Sequence, residues 1–285
     1  MSWLVFALVF WLGAWALNGA IANSRWRRSR AARIFVPVLF GITLLVLWEG
    51  LVRGFGVSPV ILPAPSDVAR TFAGSTDLLW ADFSQTVLKG ALSGFVIGCG
   101  AAVLTAIAID RSAFLTAGLL PIGNFVAALP IVGIAPILVS WFGFDWQSKA
   151  AVVVVMVFFP VLVNTVQGLR ETDSMQRDLM RTYGASHLQT LVKLRLPAAM
   201  PFVFNGLKIA TTLALIGAIV AEYFGSPTRG MGFRISTGVG SLSIDLVWAE
   251  IAVAALAGSV FYGIVARFER SVTFWHPSQR SNDRS

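Results

Sequence analysis

Long apolar runs alternate with short polar links along most of the chain, and seven of the runs, residues 2–22, 34–52, 86–109, 115–142, 150–169, 202–223 and 246–265, have the length of a membrane span. A hydrocarbon core about 30 Å thick takes ~20 apolar residues in a helix, and a helix satisfies every backbone N–H and C=O without water. The pattern therefore predicts an all-α polytopic membrane protein. The link over residues 53–85 is the longest polar excursion. Its Leu62 to Pro65 stretch reads as extended, with Ser66 as the expected N-cap of a short amphipathic helix.

The run over 115–142 differs from the others because Pro121, Pro130 and Pro136 interrupt it, together with Gly123 and Gly133. Irregular backbone at membrane depth is tolerated where protein or a water-filled cavity covers it. The run is thus expected either to line a pathway or simply to bend against its neighbours, since Pro and Gly are common in membrane helices.

Charge fixes an expected orientation. Arg25, Arg27, Arg28, Arg30 and Arg33 follow the first run, the reverse of a secretory signal, whose positive charge precedes its apolar stretch. The positive-inside rule then puts the N-terminus outside and this cluster in the cytoplasm. Seven spans place the basic segment 170–197 inside, the 53–85 excursion outside and the tail with Arg267, Arg270, Arg280 and Arg284 in the cytoplasm. Composition agrees with the pattern: 56% of the 285 residues are hydrophobic and 13% charged, with a mean hydropathy of +0.75. The net charge of +8 sits in short clusters beside apolar runs, so it marks topology and argues against nucleic-acid binding. Cys99 lies in a glycine-rich apolar stretch and reads as a small core residue.

Catalytic patterns are missing. The chain contains no Gly-Lys dipeptide, hence no phosphate-cradling Walker A loop, and no Gly-x-Ser-x-Gly elbow. Its two histidines, His187 and His276, are far apart in sequence and outside any metal-ligand spacing. The reading excludes an enzyme that hydrolyses ATP by itself, and no cofactor or metal is expected on this chain.

The segment from Asp178 to Phe202, DLMRTYGASHLQTLVKLRLPAAMPF, is polar and basic in an otherwise apolar chain. A short helix ends at Gly184, Ser186 caps a second helix reaching Leu196, and Pro197 falls where the next span begins. Leu179, Met180, Tyr183, Leu188, Leu191 and Leu194 recur at helical spacing, which gives a helix-turn-helix ledge suited to a partner's groove.

This segment resembles the cytoplasmic loop of permease subunits of binding-protein-dependent ABC importers. That loop reads Glu-Ala-Ala, three residues, Gly, nine residues, Ile, one residue, Leu-Pro. Here Gly184 is followed after nine residues by Leu194, then Arg195, Leu196 and Pro197, while Asp178-Leu179-Met180 replaces the opening triplet. Over about residues 62–278, LPAPSDV, ALPIVGIAPILVSWFG, GLKIATTLALIGAIVAEYFG, RGMGFRI and FWHPS resemble the nitrate/sulfonate/taurine-type permeases. PTRGMGFRI and TFWHPS look closest to permeases for the thiamine pyrimidine precursor or riboflavin.

The resemblance implies a six-helix permease core of the type I importer fold over 34–275, with residues 1–33 an extra N-terminal transmembrane helix and basic link, and 276–285 a cytoplasmic tail. It also implies a multi-pass inner-membrane protein that pairs with a second permease copy and with two ATPase subunits carrying ATP and Mg, and receives a small solute from an external, periplasmic binding protein. Sulfonate, taurine, nitrate, pyrimidine and flavin remain open as solutes. By match, Asp178, Gly184, Ala185, Leu194, Leu196 and Pro197 fall at the ATPase-coupling interface. Arg181, Ser186 and His187 join them by position around the turn, the alternative for Arg181 and His187 being a solvated loop face. Pathway candidates are Asn124, Pro130, Pro136, Asn164 and Glu222. Either asparagine could bond a solute or join two helices. Glu49, Lys89, Lys208, Glu222 and Glu250 are ionisable near membrane depth, where function competes with snorkelling to the interface. An ion-gradient-driven secondary transporter is the alternative, and it would need internal repeats and paired intramembrane charges.

Overall fold

The computed structural model describes residues 2–24, 29–110, 112, 118, 121–123, 125–126, 129–225 and 228–275, and all regular structure among them is helical. In chain order the helices are α1 (Ser2–Asn23), α2 (Arg30–Phe55), α3 (Pro65–Gly74), α4 (Thr76–Ile109), α5 (Ile131–Phe142), α6 (Trp146–Arg170), α7 (Ser174–Thr182), α8 (His187–Gly225), α9 (Met231–Gly240) and α10 (Ile244–Val272). Among the described residues, six of these, α1, α2, α4, α6, α8 and α10, are long and apolar enough to cross a membrane. They coincide with six of the seven expected spans. The seventh is described only in part: α5 has 12 residues, about 18 Å at 1.5 Å per residue, and begins directly behind Pro130.

The chain forms two compact units, residues 1–79 with 237–251 and residues 80–236 with 252–285. In the first, α1 packs on α2 through small residues: Gly50 lies against Ala7, and Gly54 against Leu4. Trp48 and Trp248 meet with ring centroids 4.8 Å apart. The start of α3 differs from expectation. Ala64 is its N-cap and Pro65 its first residue, so Ser66 lies inside the helix. The Glu49 carboxylate of α2 does the capping, accepting from Ser66 N at 2.9 Å and from Ser66 Oγ at 2.8 Å.

The second unit holds the core. Val153, Val157, Val161 and Leu162 of α6 are fully buried, because glycines let the flanking helices approach it closely. Gly94 and Gly98 of α4 lie against Val153 and Val157, and Gly206 and Gly217 of α8 lie against Val161 and Val153. In lipid the apolar surroundings supply no hydrophobic drive between helices, so such small-residue contact carries the association. Two π-helical turns interrupt the long helices, Ser84–Ala91 in α4 and Leu191–Arg195 in α8. Through the second, the helix capped by Ser186 continues without a break into the membrane span. The expected separate helix ending at Leu196 is therefore the first part of α8.

Candidate functional site

Residues 170–197 are built by local rules. Asp173 opens α7 in a capping box with Gln176, each side chain satisfying the other's backbone donor. At the other end the chain turns by a Schellman motif: Gly184 N donates to Arg181 O at 2.9 Å and Ala185 N to Met180 O at 3.0 Å. Gly184 sits at φ +65°, where a Cβ is strained. Ser186 then caps α8 in a second capping box with Gln189. The Ser186 cap is the one expected from the sequence; the Asp173 box is a further local feature of the same kind.

None of the residues of α7 is buried. Met175, Leu179 and Tyr183 stand four residues apart on one stripe, Tyr183 at 79% exposure, and Leu188 follows across the turn at 61%. A stripe of this kind, bare beside polar neighbours, is a contact surface in waiting. The predicted interface residues divide into two groups. Asp178, Arg181, Gly184, Ser186 and His187 are exposed with the stripe, the Asp178–Arg181 pair standing 3.3 Å apart in solvent. Ala185, Leu194, Leu196 and Pro197 are half-buried, and Leu196 packs against the core; they brace the loop.

Sequence reasoning missed what fixes that brace. Arg195 places Nη1 2.6 Å from Asp110 Oδ2 and Nη2 2.7 Å from Asp110 Oδ1, and its Nε and Nη2 donate to Leu169 O at 3.1 and 2.8 Å. One guanidinium thus ties the ends of α4 and α6 to the π-helical turn of α8. The planar fork suits this position: a Lys ammonium, a point charge with three donors, could not reproduce the bidentate pair together with the two bonds to the carbonyl. A lone Asp just after a span and an Arg before Leu-Pro were the available signals.

A second polar cluster lies at the opposite end of α6. Glu222 is fully buried and accepts from Thr86 Oγ1 at 2.7 Å and Gly232 N at 3.1 Å. Thr86 Oγ1 accepts in turn from Met231 N at 2.8 Å, while Asp82 takes Gly230 N at 2.7 Å and Arg234 Nε at 2.8 Å. Lys149 donates to Phe144 O at 2.5 Å and Gly225 O at 2.7 Å. Buried polar groups at this depth have to satisfy one another, and apart from Glu222 Oε1 these do so around the backbone of residues 228–234. Gly230 and Gly232 are required by close approach, since a Cβ on either would run into Glu222, and at Gly232 into Ile219 O as well. Glu222, predicted as a pathway residue, thus uses Oε2 within this cluster, while its Oε1 is buried without a hydrogen-bond partner among the described residues.

The other pathway candidates fall at separate places. Asn164 donates to Pro160 O at 2.8 Å and accepts from Asn205 Nδ2 at 3.0 Å, so it joins α6 to α8. Pro130 caps α5 and Pro136 lies within it, both exposed. Asn124 lies outside the described residues. Lys208 pairs with Glu269 at 2.8 Å.

Residues 94–274 match the family described as "Binding-protein-dependent transport system inner membrane component". The chain is 36% identical over 223 residues to a probable ABC transporter permease protein of Haemophilus influenzae, covering 77% of this chain and 89% of that one. It is 31% identical over 255 residues to the formylaminopyrimidine transport permease protein ThiX of Halalkalibacterium halodurans, covering 88% and 99%. It is likewise 31% identical over 237 residues to the riboflavin transport system permease protein RibX of Chloroflexus aurantiacus, covering 82% and 88%.

Proposed function

The chain belongs to the family of binding-protein-dependent transport system inner membrane components, in its nitrate/sulfonate/taurine-type branch, and from that premise we propose that residues 170–197 are the surface through which an ATPase subunit drives it. The protein is an ABC importer permease of the type I fold, a multi-pass component of the inner membrane. Its family works with a separate ATPase, which hydrolyses ATP, and with a substrate-binding protein.

The observation that carries the proposal is the bare stripe of Met175, Leu179, Tyr183 and Leu188 on a loop whose base is clamped by Arg195. A lever needs a surface that grips its driver and a rigid connection to what it moves. Closure of the ATPase on α7 is transmitted through the Schellman turn and the Ser186 cap into α8, which is one continuous helix of 39 residues. Asp178, Arg181, Gly184, Ser186 and His187 then lie at the contact, while Ala185, Leu194, Leu196 and Pro197 carry the motion inward.

The same reading puts the loop and the C-terminal tail in the cytoplasm and the N-terminus outside, in accord with the basic residues of 170–197. It takes residues 1–33 as an addition to a permease domain over 34–275, followed by a tail over 276–285. Two permease copies and two ATPase copies form the complex, with ATP and Mg held by the ATPase and an external binding protein supplying the solute. For that solute, likeness to permeases for formylaminopyrimidine and riboflavin favours a nitrogen heterocycle over a sulfonate, taurine or nitrate.

Purification in mild detergent from cells that also express the neighbouring genes tests the reading. Co-purification of a Walker A ATPase and of a binding protein carrying a small heterocycle is expected. Recovery of this chain alone, moving solute on an ion gradient without ATP, would sink it.

A further inference from the structure

Along α8 the residues Asn205, Ile209, Thr212 and Ile216 are exposed at helical spacing, and Lys208 lies beside them. A polar amide and a hydroxyl on the outer face of a membrane helix are not left against hydrocarbon; they face a partner or a water-filled space. Together with Leu213 and with Tyr262 of α10, Asn205, Lys208, Ile209 and Thr212 line an open cavity of about 430 Å³, within the size range of small-molecule sites. We propose that this cavity is a solute-binding station of the permease, selective for a neutral, planar nitrogen heterocycle. The proposal rests on the permease reading and deepens it by naming residues and a chemical class.

Three features give the site that selectivity. Asn205 is held in place: its Nδ2 donates to Asn164 Oδ1 at 3.0 Å, and Asn164 is itself held by Pro160 O at 2.8 Å. A carboxamide has two N–H donors and a carbonyl acceptor, so Asn205 keeps capacity for the paired amine and ring-nitrogen edge of an aminopyrimidine, the edge that Asn reads in adenine. Tyr262, 47% exposed, brings a ring to the same cavity, and a flat π-system stacks on it in a way that an aliphatic sulfonate cannot. Lys208 is neutralised by Glu269, with Nζ 2.8 Å from Oε2 and 3.1 Å from Oε1. A free anion would have to compete with that carboxylate, whereas a neutral ring can accept a hydrogen bond from the ammonium without separating the pair.

The test uses the whole importer, purified through this chain with its partners and reconstituted in liposomes containing ATP. The probes are formylaminopyrimidine and ethanesulfonate. Asn205→Ala and Tyr262→Ala should each reduce formylaminopyrimidine uptake about tenfold, the loss of one stacked or paired contact, while the variants still co-purify with the ATPase. Glu269→Gln should release Lys208 and raise uptake of ethanesulfonate. Wild-type rates in both alanine variants would overturn the site, as would loss of the ATPase from them, which would make this face a packing surface. Transport by the wild type of ethanesulfonate alone, or of neither probe, would overturn the chemical class. Purification without any ATPase would instead overturn the underlying permease reading.

Discussion

Arg195 and Asp110 are 85 residues apart in sequence and form a two-pronged ion pair that the Leu169 carbonyl completes. The pair is largely shielded, with side-chain exposures of 13% and 9%. Where α4 and α6 end beside the π-helical turn of α8, one side chain sets their relation to the loop.

Replacing Asp110 with Ala should cost about 3 kcal/mol, because it strands a guanidinium in a shielded place. Thermal unfolding in detergent measures this. The charge-swapped double variant, Asp110→Arg with Arg195→Asp, should not recover, since a carboxylate at 195 would face the Leu169 carbonyl. Recovery would mean that charge alone matters there.

Gly184 occupies the left-handed region in the Schellman turn, with open space around it. Gly184→Val should therefore cost about 1–2 kcal/mol through backbone strain and not through a clash. Transport driven by ATP should fall steeply while expression and membrane insertion persist. Normal solute uptake with normal coupling would remove the turn from the mechanism.

Tyr183 and Leu188 stand bare on the loop, so charge there should be silent in the isolated chain. Tyr183→Asp and Leu188→Asp should leave the melting temperature of the purified permease unchanged and abolish co-purification of the ATPase, as truncation of an apolar anchor does at protein interfaces. An intact complex from both variants would move the contact elsewhere.

A Cβ at Gly168 would stand 2.8 Å from Phe202 Cβ and 2.9 Å from Ala199 O. Gly168→Leu must push α6 from α8, with a cost of about 3 kcal/mol or more from overpacking. Accumulation in the membrane should drop, whereas Gly100→Leu, at a position open in this chain, should accumulate normally. Western blotting of membrane fractions separates the two.

Thr86→Val removes a hydroxyl that both donates to Glu222 and accepts from Met231 N. Met231 N loses its acceptor and Glu222 one of its two donors, so destabilisation of about 1–3 kcal/mol is expected. Protease cleavage in the segment 228–234 should become faster, and unchanged cleavage would show that the segment is held by other contacts.

The sequence by itself determined the helical class, six of the spans and the local form of the loop. Those features depend on interactions within one element: apolar length against bilayer thickness, capping side chains three residues from their targets, and a glycine where φ is positive. It also placed Gly184 and Ser186 correctly within that loop, whereas Pro197, expected where a span begins, lies inside the continuous α8. Tertiary structure alone decided the rest. Ser66 reads as a cap from its neighbours, but Glu49 arrives from another helix and takes over the capping. Glu222 reads from the sequence as an ionisable residue near membrane depth; that Thr86 and the backbone of Gly232 reach its Oε2 across the fold is visible only in the structure. Both π-helical turns deliver such partners, Thr86 to Glu222 and Arg195 to Asp110, by shifting the register of the helix by a residue. No periodicity in the chain announces that shift, because its energy comes from the distant group it meets.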